Sequence, residues 1–371
     1  MMHEPFGNLD EMLSVEAMSA LEGRRVNMVE VEQWATQQPR GAESGSQFLK
    51  VRTCASGDYR HYFVKRTTYA TDLVRRLSDD YACREGMVWQ SGVLDQLPGE
   101  IESPMLAHAC DGEGHALLMR DISVPLQKLE RRRAGALYVF TWAQVSAIVD
   151  ALAAMHATFY RDEMLDDPAL GLCTAHQMYG WLRPEMLQRH MAFRPSFVDM
   201  QATGWTLLDR LESTEVAAAL GELRVDPTPL VNALARYPST LVHGDLRREN
   251  LGLSDDPTPH LAVVDWQLAA ALPPTVDFAW FLQSGSAPME VPKERVIDRY
   301  HQQLAERLGS RFDERTWEPQ LRLALLGQSV RNMAFFLWAA YHQTMDAGLR
   351  DFVLAELPWW TEQAQLGLAH L

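Results

Sequence analysis

The stretch from Leu241 to Gln267 reads LVHGDLRRENLGLSDDPTPHLAVVDWQ, and the rest of the chain becomes legible from it. A short apolar lead-in, Leu241-Val242, runs into a polar turn that holds His243, Asp245, Arg247 and Asn250. A spacer rich in Pro and Asp follows, and then an apolar run, Leu261 to Val264, that stops abruptly at Asp265. Two carboxylates and an amide are thereby set at the ends of β-like segments. Oxygen donors of this kind suit Mg²⁺, which usually binds through one or two carboxylates together with substrate phosphates. The local reading is a turn that handles a divalent cation and a phosphate.

Bulk properties frame that reading. A chain of 371 residues allows one large or two modest domains. With 47% hydrophobic and 22% charged residues it is expected to fold as a globular protein. The net charge of -15 argues against nucleic acid as a partner, since backbone phosphates are met by clustered Lys and Arg. Acidity would suit a cationic substrate and is equally an ordinary route to solubility. Cys54, Cys83, Cys110 and Cys173 are scattered with no CxxC pair, which is neither a zinc spacing nor a disulfide framework. Reduced thiols and a cytoplasmic location are the expectation. The opening MMHEPFGNLDEM has no basic start or apolar core and does not read as a signal peptide. The best candidate for a membrane span, Leu321 to Ala340, contains Arg322, Gln328, Arg331 and Asn332, so no membrane association is expected.

Along the chain, the spacing of Leu13, Ala17, Met18 and Leu21 predicts a helix over 9–22 that ends at Gly23. Alternation predicts a half-buried strand over 26–34, and two more over 48–53 and 61–67 joined by the turn signal Ser56-Gly57-Asp58. The first two strands are joined by a loop rich in Gly and Ser, RGAESGSQ at 40–47. A helix follows over 72–92, in one piece or two, then a strand HALLM at 115–119. The polar segment and Pro125 beyond it suggest a lobe boundary near residue 120. The remainder reads as helical. Thr141 and Gln144 form a capping box for a helix over 140–160 whose apolar stripe is Val145, Ile148, Leu152, Met155 and Phe159. Further helices are predicted over 175–191, 197–211, 227–235, 292–308, 316–341 and 349–368. The fold class is therefore α+β, with a small antiparallel β-sheet lobe over 1–120 and a larger, mainly helical lobe over 121–371.

This order of parts, taken with HGDLRREN and VVDWQ, resembles the protein-kinase-like phosphotransferases that act on small molecules: the aminoglycoside phosphotransferase, choline kinase and ecdysteroid-kinase-like families. The pattern His-x-Asp-x-x-x-x-Asn is met by His243, Asp245 and Asn250, and the metal-binding Asp on the following strand by Asp265. The resemblance runs from the first strand to the last helices. It implies a two-lobed fold that uses ATP and Mg²⁺ to phosphorylate a hydroxyl. Phosphoryl transfer needs in-line positioning, charge neutralisation and a group to orient the acceptor. By the resemblance, Asp245 takes or orients the acceptor proton, Asn250 and Asp265 hold Mg²⁺, and Arg247 meets the transferred phosphate with a guanidinium able to grip two oxygens. The bland alternative has His243 and Asp245 capping a turn and Asp265 ending a strand.

Other positions follow from the same resemblance. Lys65, closing Tyr62-Phe63-Val64-Lys65, matches the lysine that reaches the nucleotide phosphates, with Lys50 as its rival. Glu85 in ACREGMVW matches the helix glutamate that holds this lysine, against Asp79, Asp80 and Glu100. Gly41, Ser44 and Gly45 would offer backbone N–H groups to phosphate. The loop has no GxGxxG, carries Glu43, and reads nearly as well as a plain hairpin. Backbone groups between Met119 and Asp121 would hold adenine. His156 and Asp277 match family positions that brace the catalytic loop, as His243 does. VVDWQ departs from Asp-Phe-Gly at Trp266 and Gln267, which argues against a flexible activation segment.

For the acceptor, a small hydroxylated molecule, Asp346, Asp351 and Glu356 stand in sequence near Trp338, Tyr341, Trp359 and Trp360. Aromatics beside carboxylates can bind an amine or quaternary ammonium, although at helical spacing the same residues serve as core and solvated face. The Trp359-Trp360 pair resembles a tail feature of the ecdysteroid-kinase-like group. Two rival functions remain at this point, a nucleotide-binding pseudokinase and a protein kinase. The presence of Lys65, Asp245, Asn250 and Asp265 together weighs against the first. The missing activation segment weighs against the second. Nothing in the sequence names the acceptor, separates ATP from GTP or sets an oligomeric state.

Overall fold

A computed structural model gives the fold. It describes all residues except 1, 34–44, 124–137, 193–194, 255–258, 284–287 and 343–346. The chain forms two lobes, a small antiparallel sheet with its helices and a larger helical body.

The small lobe is built on five strands: β1 (Met28–Gln33), β2 (Gln47–Ala55), β3 (Asp58–Thr67), β5 (Met105–Asp111) and β6 (Gly114–Arg120), in the order β1-β2-β3-β6-β5. Between β3 and β5 lies β4 (Ile101–Glu102), which joins a sheet of the other lobe. Ser56 and Gly57 both take positive φ, 53° and 86°, as a two-residue hairpin between right-twisted strands needs. The antiparallel register sets Lys65 of β3 opposite Phe48 of β2 and Leu117 of β6. Strand alternation then separates the two faces. Tyr62 and Val64 point into the core with Leu49 and Val51, while Phe63 and Lys65 line the other face.

Two helical readings, 9–22 and 175–191, required revision, and 72–92, open to one piece or two, is two. The segment 9–22 is two helices, α1 (Leu9–Met12) and α2 (Val15–Glu22), because the Ser14 side chain accepts from the Ala17 N–H and starts a new helix. Gly23, at φ 63°, ends the second as expected. The segment 72–92 is likewise split into α3 (Leu73–Leu77) and α4 (Arg84–Gln90), since Asp79 and Cys83 adopt positive φ values that no helix continues through. The predicted helix 175–191 breaks into α6 (Ala175–Gly180) and α7 (Pro184–His190), where Pro184 holds Arg183 extended at ψ 152°.

The large lobe begins with α5 (Trp142–Thr158). Its capping box between Thr141 and Gln144 is formed, and Val145, Ile148, Leu152 and Met155 are fully buried. Burial of each such side chain contributes roughly 1.5–3 kcal/mol. On α5 packs α12 (Lys293–Leu308), while α8 (Pro195–Trp205), α9 (Thr214–Val225), α10 (Thr228–Leu234), α11 (Thr275–Gln283) and α14 (Ala347–Leu368) gather round α13 (Glu314–Tyr341). Two small sheets sit where the lobes meet. In one, β7 (Thr240–Val242) pairs with β10 (Ala270–Leu272); in the other, β9 (Leu261–Val263) lies between β4 and β8 (Leu251–Leu253). No described helix is long and apolar enough to cross a membrane.

Candidate active site

The polar turn is anchored by buried backbone bonds. Strand β7 ends at Val242, and the next two N–H groups, of His243 and Gly244, donate to the two oxygens of Asp277 at 2.6 and 2.7 Å. Asp277 sits on the first turn of α11, where the helix dipole favours a carboxylate. Its Oδ2 also lies 3.5 Å from His156 Nε2, and His156 Nδ1 lies 2.6 Å from the Tyr300 hydroxyl. All three side chains are fully buried. His243 makes two bonds through its own ring. Nε2 donates to the Val264 carbonyl at 2.9 Å, and Nδ1 accepts the Asp245 N–H at 3.2 Å. The imidazole thus ties the turn to the strand that presents Asp265. Gly244 is required for its backbone: at φ 81°, an added Cβ would come within 2.3 Å of the Leu268 carbonyl oxygen.

Within this frame Asn250 Nδ2 donates to Asp245 twice, to its backbone oxygen at 2.9 Å and to Oδ2 at 3.0 Å. The amide oxygen of Asn250 is thereby turned away from Asp245. Arg247 Nε lies 3.3 Å from Asp245 Oδ2. Burial raises the pKa of Asp245, and the nearby Arg247 charge offsets only part of that rise.

The small lobe supplies the remaining pieces. Lys65 Nζ reaches Glu85 Oε2 at 2.8 Å and Asp265 Oδ1 at 2.6 Å. Glu85, on the first turn of α4, also accepts the Trp266 N–H at 3.3 Å, so one carboxylate contacts both lobes. Burial works against the charge on Asp265, yet the Lys65 ammonium outweighs it and the carboxyl stays below its ordinary pKa. Burial likewise opposes the charge on Lys65, and the two carboxylates hold it protonated above the ordinary lysine value. Glu85 is raised by burial, because Lys65 is shared with Asp265. Asp265 itself is in the left-handed region at φ 70°, ψ 58°, a conformation that costs about 1 kcal/mol or more for a residue with a Cβ.

The structure therefore brings together Lys65, Glu85, Asp245, Arg247, Asn250 and Asp265, with His243, Asp277 and His156 behind them. The rivals fall elsewhere. Lys50 is exposed and lines a cavity of about 350 Å³ with Phe63 and Asp121. Asp80 pairs with Arg75 and Glu100 with Arg307. Of the loop residues, Gly41 and Ser44 lie outside the described residues. Gly45, at φ 100°, packs so tightly that a Cβ would meet the Thr71 carbonyl oxygen at 2.0 Å. Met119 pairs with Phe63 across the sheet, and the Asp121 N–H donates to the His61 carbonyl at 3.1 Å.

Several supporting residues escaped the sequence reading. Arg331 of α13 is 2% exposed, donates to the Gly244 carbonyl at 2.9 Å and stacks 3.8 Å from the Trp280 ring. Asp72 collects Ser46 Oγ, the Arg75 N–H and Gln267 Nε2. Arg84, beside Glu85, bonds the carbonyls of Gly171 and Gln267. Nothing in local sequence distinguishes such buried arginines from surface ones. The departure at Gln267 had a signal, since a polar residue after an aspartate-ended strand must find a buried partner.

The acidic and aromatic residues weighed for the acceptor serve largely as packing. Glu356 pairs with Lys293, Trp359 donates to Glu294 at 2.7 Å, Trp360 is fully buried and Asp351 is exposed. Tyr341 lies under Arg210, and Asp346 is outside the described residues.

Residues 141–317 match the model of the phosphotransferase enzyme family. Among solved structures, the microcompartment-associated aminopropanol kinase is 12% identical with a TM-score of 0.50, covering 96% of this chain and 99% of its own. Amicoumacin kinase hAmiN in complex with AMP-PNP, Ca²⁺ and Ami is 12% identical over 94% of both chains, at a TM-score of 0.48. Choline kinase LicA from Streptococcus pneumoniae is 13% identical over 94% of this chain and 96% of its own, at 0.46. No curated protein matches the sequence. Residues 141–317 thus carry the phosphotransferase family match, and the chain has the two-lobed kinase-like fold that HGDLRREN and VVDWQ led us to expect.

Proposed function

We propose that the protein transfers the γ-phosphoryl group of ATP to a hydroxyl of a small molecule, with the nucleotide between a sheet lobe of residues 1–120 and a helical lobe of residues 121–371. The observation that carries this reading is the convergence of Lys65, Glu85 and Asp265 from three separate elements, beside the Asp245–Asn250 pair. In the reaction, the acceptor oxygen forms a bond to the γ-phosphorus as the bond to the β–γ bridging oxygen breaks. The acceptor proton passes to the Asp245 carboxylate and ADP leaves. Asp245 suits this role, since burial makes its carboxylate more basic and Asn250 fixes its orientation.

Asp265 and the outward amide oxygen of Asn250 are all-oxygen donors, which fits Mg²⁺. When bound there, Mg²⁺ would neutralise charge on the phosphates. Lys65 is now neutralised by two carboxylates and Arg247 by Asp245, so nucleotide entry is an exchange of partners. Each cation gives up carboxylate contact for phosphate, and Glu85 keeps Lys65 in place as it does so. Backbone groups between Met119 and Asp121 are proposed to hold adenine, and Asp121 lines a cavity beside Phe63. Gly41, Ser44 and Gly45 are proposed as the phosphate loop.

The test is ADP release with Mg²⁺ and ATP against a panel of amino alcohols, sugars and sterol-like alcohols. Acceptor-dependent ADP release that disappears in Asp245→Ala, and Mg²⁺-dependent nucleotide binding that disappears in Asp265→Ala, are the expected results. Turnover that survives Asp245→Ala would remove the assignment.

A further inference from the structure

Behind the helix that carries Glu85, one donor atom each from Cys83, His108 and His115 lie within 4.8 Å of one another, the one such set of three among the described residues. We propose that this trio is a binding site for a transition-metal ion of the zinc type, separate from the oxygen-donor pair at Asp265 and Asn250.

The donors come from three elements. Cys83 is the residue before α4, His108 lies on β5 and His115 on β6. No two-cysteine spacing marks the site in sequence, because the sheet hairpin and the turn after α3 assemble it in space. One sulfur and two imidazole nitrogens form a borderline-soft set that suits Zn²⁺ and does not suit Mg²⁺ or Ca²⁺. Tetrahedral zinc with bonds of about 2.0–2.3 Å separates its ligand atoms by about 3.3–3.8 Å. The trio is thus within side-chain adjustment of that geometry. His108 Nε2 and His115 Nδ1 are now 2.9 Å apart, and the ion would replace their shared hydrogen bond.

His108 is moreover held in place beside Cys83 and His115. His108 is 3% exposed, and its Nδ1 is buried with no hydrogen-bond partner. The ring is not free to turn away, since Gly86 of α4 lies against it: a Cβ there would come within 2.7 Å of the ring.

With the site empty, the two rings are neutral and the thiol carries its proton. Burial, reinforced for His108 by His115 and for both rings by Arg75, lowers the two histidines to about 4, so both are neutral ligands at physiological pH. Burial pushes the Cys83 thiol up to about 12, and it is protonated while the site is empty. Binding therefore releases one proton to solvent as the sulfur bonds the metal. The resulting thiolate would offset the charge of Arg75. His115, half-buried, is the member that opens to solvent, and the fourth position is left to water. An ion here would fasten the start of α4, two residues before Glu85, to the β5–β6 hairpin.

The experiment uses the untagged full-length chain, freed of metal by a chelator and titrated with Zn²⁺ and separately with Co²⁺. The expected results are about one zinc per chain, a melting temperature raised by roughly 5 °C in excess zinc, and the intense visible bands and sulfur-to-cobalt charge transfer of a tetrahedral thiolate site. Cys83→Ser should abolish the charge transfer, and His115→Gln should weaken zinc binding by about 100-fold or more. His115→Gln changes a half-buried residue and keeps the comparison valid if Cys83→Ser does not fold. Failure to retain zinc, a pale octahedral cobalt spectrum, or equal zinc binding by wild type and His115→Gln would each overturn the site.

Discussion

Lys65 on the third strand and Asp265 beyond the ninth meet at 2.6 Å, and this contact joins the two lobes through charge. Glu85 at 2.8 Å completes a buried group of one cation and two carboxylates. The arrangement is costly to disturb from either side, because desolvated charges depend on their partners.

Replacement of Lys65 by Met should therefore do more than remove a phosphate ligand. It leaves Glu85 and Asp265 without their cation, and we expect a loss of about 3–5 kcal/mol in urea unfolding at neutral pH. Lys65→Met with Glu85→Gln should recover part of this loss. The pH dependence has a defined sign. Asp265 is held below its ordinary pKa, so its contribution is present above the ordinary aspartate value and disappears as pH falls through the folded value. The lysine is held above its ordinary value, so its contribution is complete below that value and fades only in strong alkali. The stability gap between wild type and Lys65→Met should narrow on acidification. A gap that widened would contradict the proposed pairing.

Asp245 behaves oppositely. Its pKa is raised by burial, so ionising it at neutral pH costs folding stability. Asp245→Asn should keep the wild-type melting temperature or exceed it by a few degrees while turnover falls by about 10²–10⁴. The acid limb of kcat/KM should lie above the ordinary aspartate pKa. A strongly destabilised Asn variant would show that the carboxylate is structural.

Asp277 offers a positioning test. Asp277→Asn sets an amide nitrogen against the N–H of either His243 or Gly244, and about 2–3 kcal/mol of stability should be lost. With the turn displaced, kcat should drop about 10²-fold while the KM for ATP changes little. Parallel changes in both constants would point to general unfolding of the site.

Gly244→Ala should also destabilise. The added methyl meets the Leu268 carbonyl oxygen, and the residue is at positive φ, so a loss of about 2 kcal/mol or more is expected. An unchanged melting temperature would mean that the turn relaxes.

Much of this site was readable from local pattern. His243, Asp245, Asn250 and Asp265 lie within one stretch, and the capping box at Thr141 and the Ser56-Gly57 hairpin are short-range devices whose residues are adjacent in the chain. The strand β5 was missed, as was α9, although Ser213 marks its start by accepting from the Val216 N–H. The breaks at Asp79 and Cys83 had no sequence signal, because positive φ at residues other than glycine is imposed by packing.

The sequence by itself determined the fold class and the resemblance to a phosphotransferase family, since hydrophobic periodicity and a motif of fixed spacing are properties of neighbouring residues. Tertiary structure alone decided which charges face each other. It chose Glu85 over Asp80 and Glu100 as the partner of Lys65, placed Arg331 against the Gly244 carbonyl, and gathered Cys83, His108 and His115 from three elements. The physical reason is that burial and pairing depend on distances in space, and side chains far apart in the chain carry no local trace of whom they will meet.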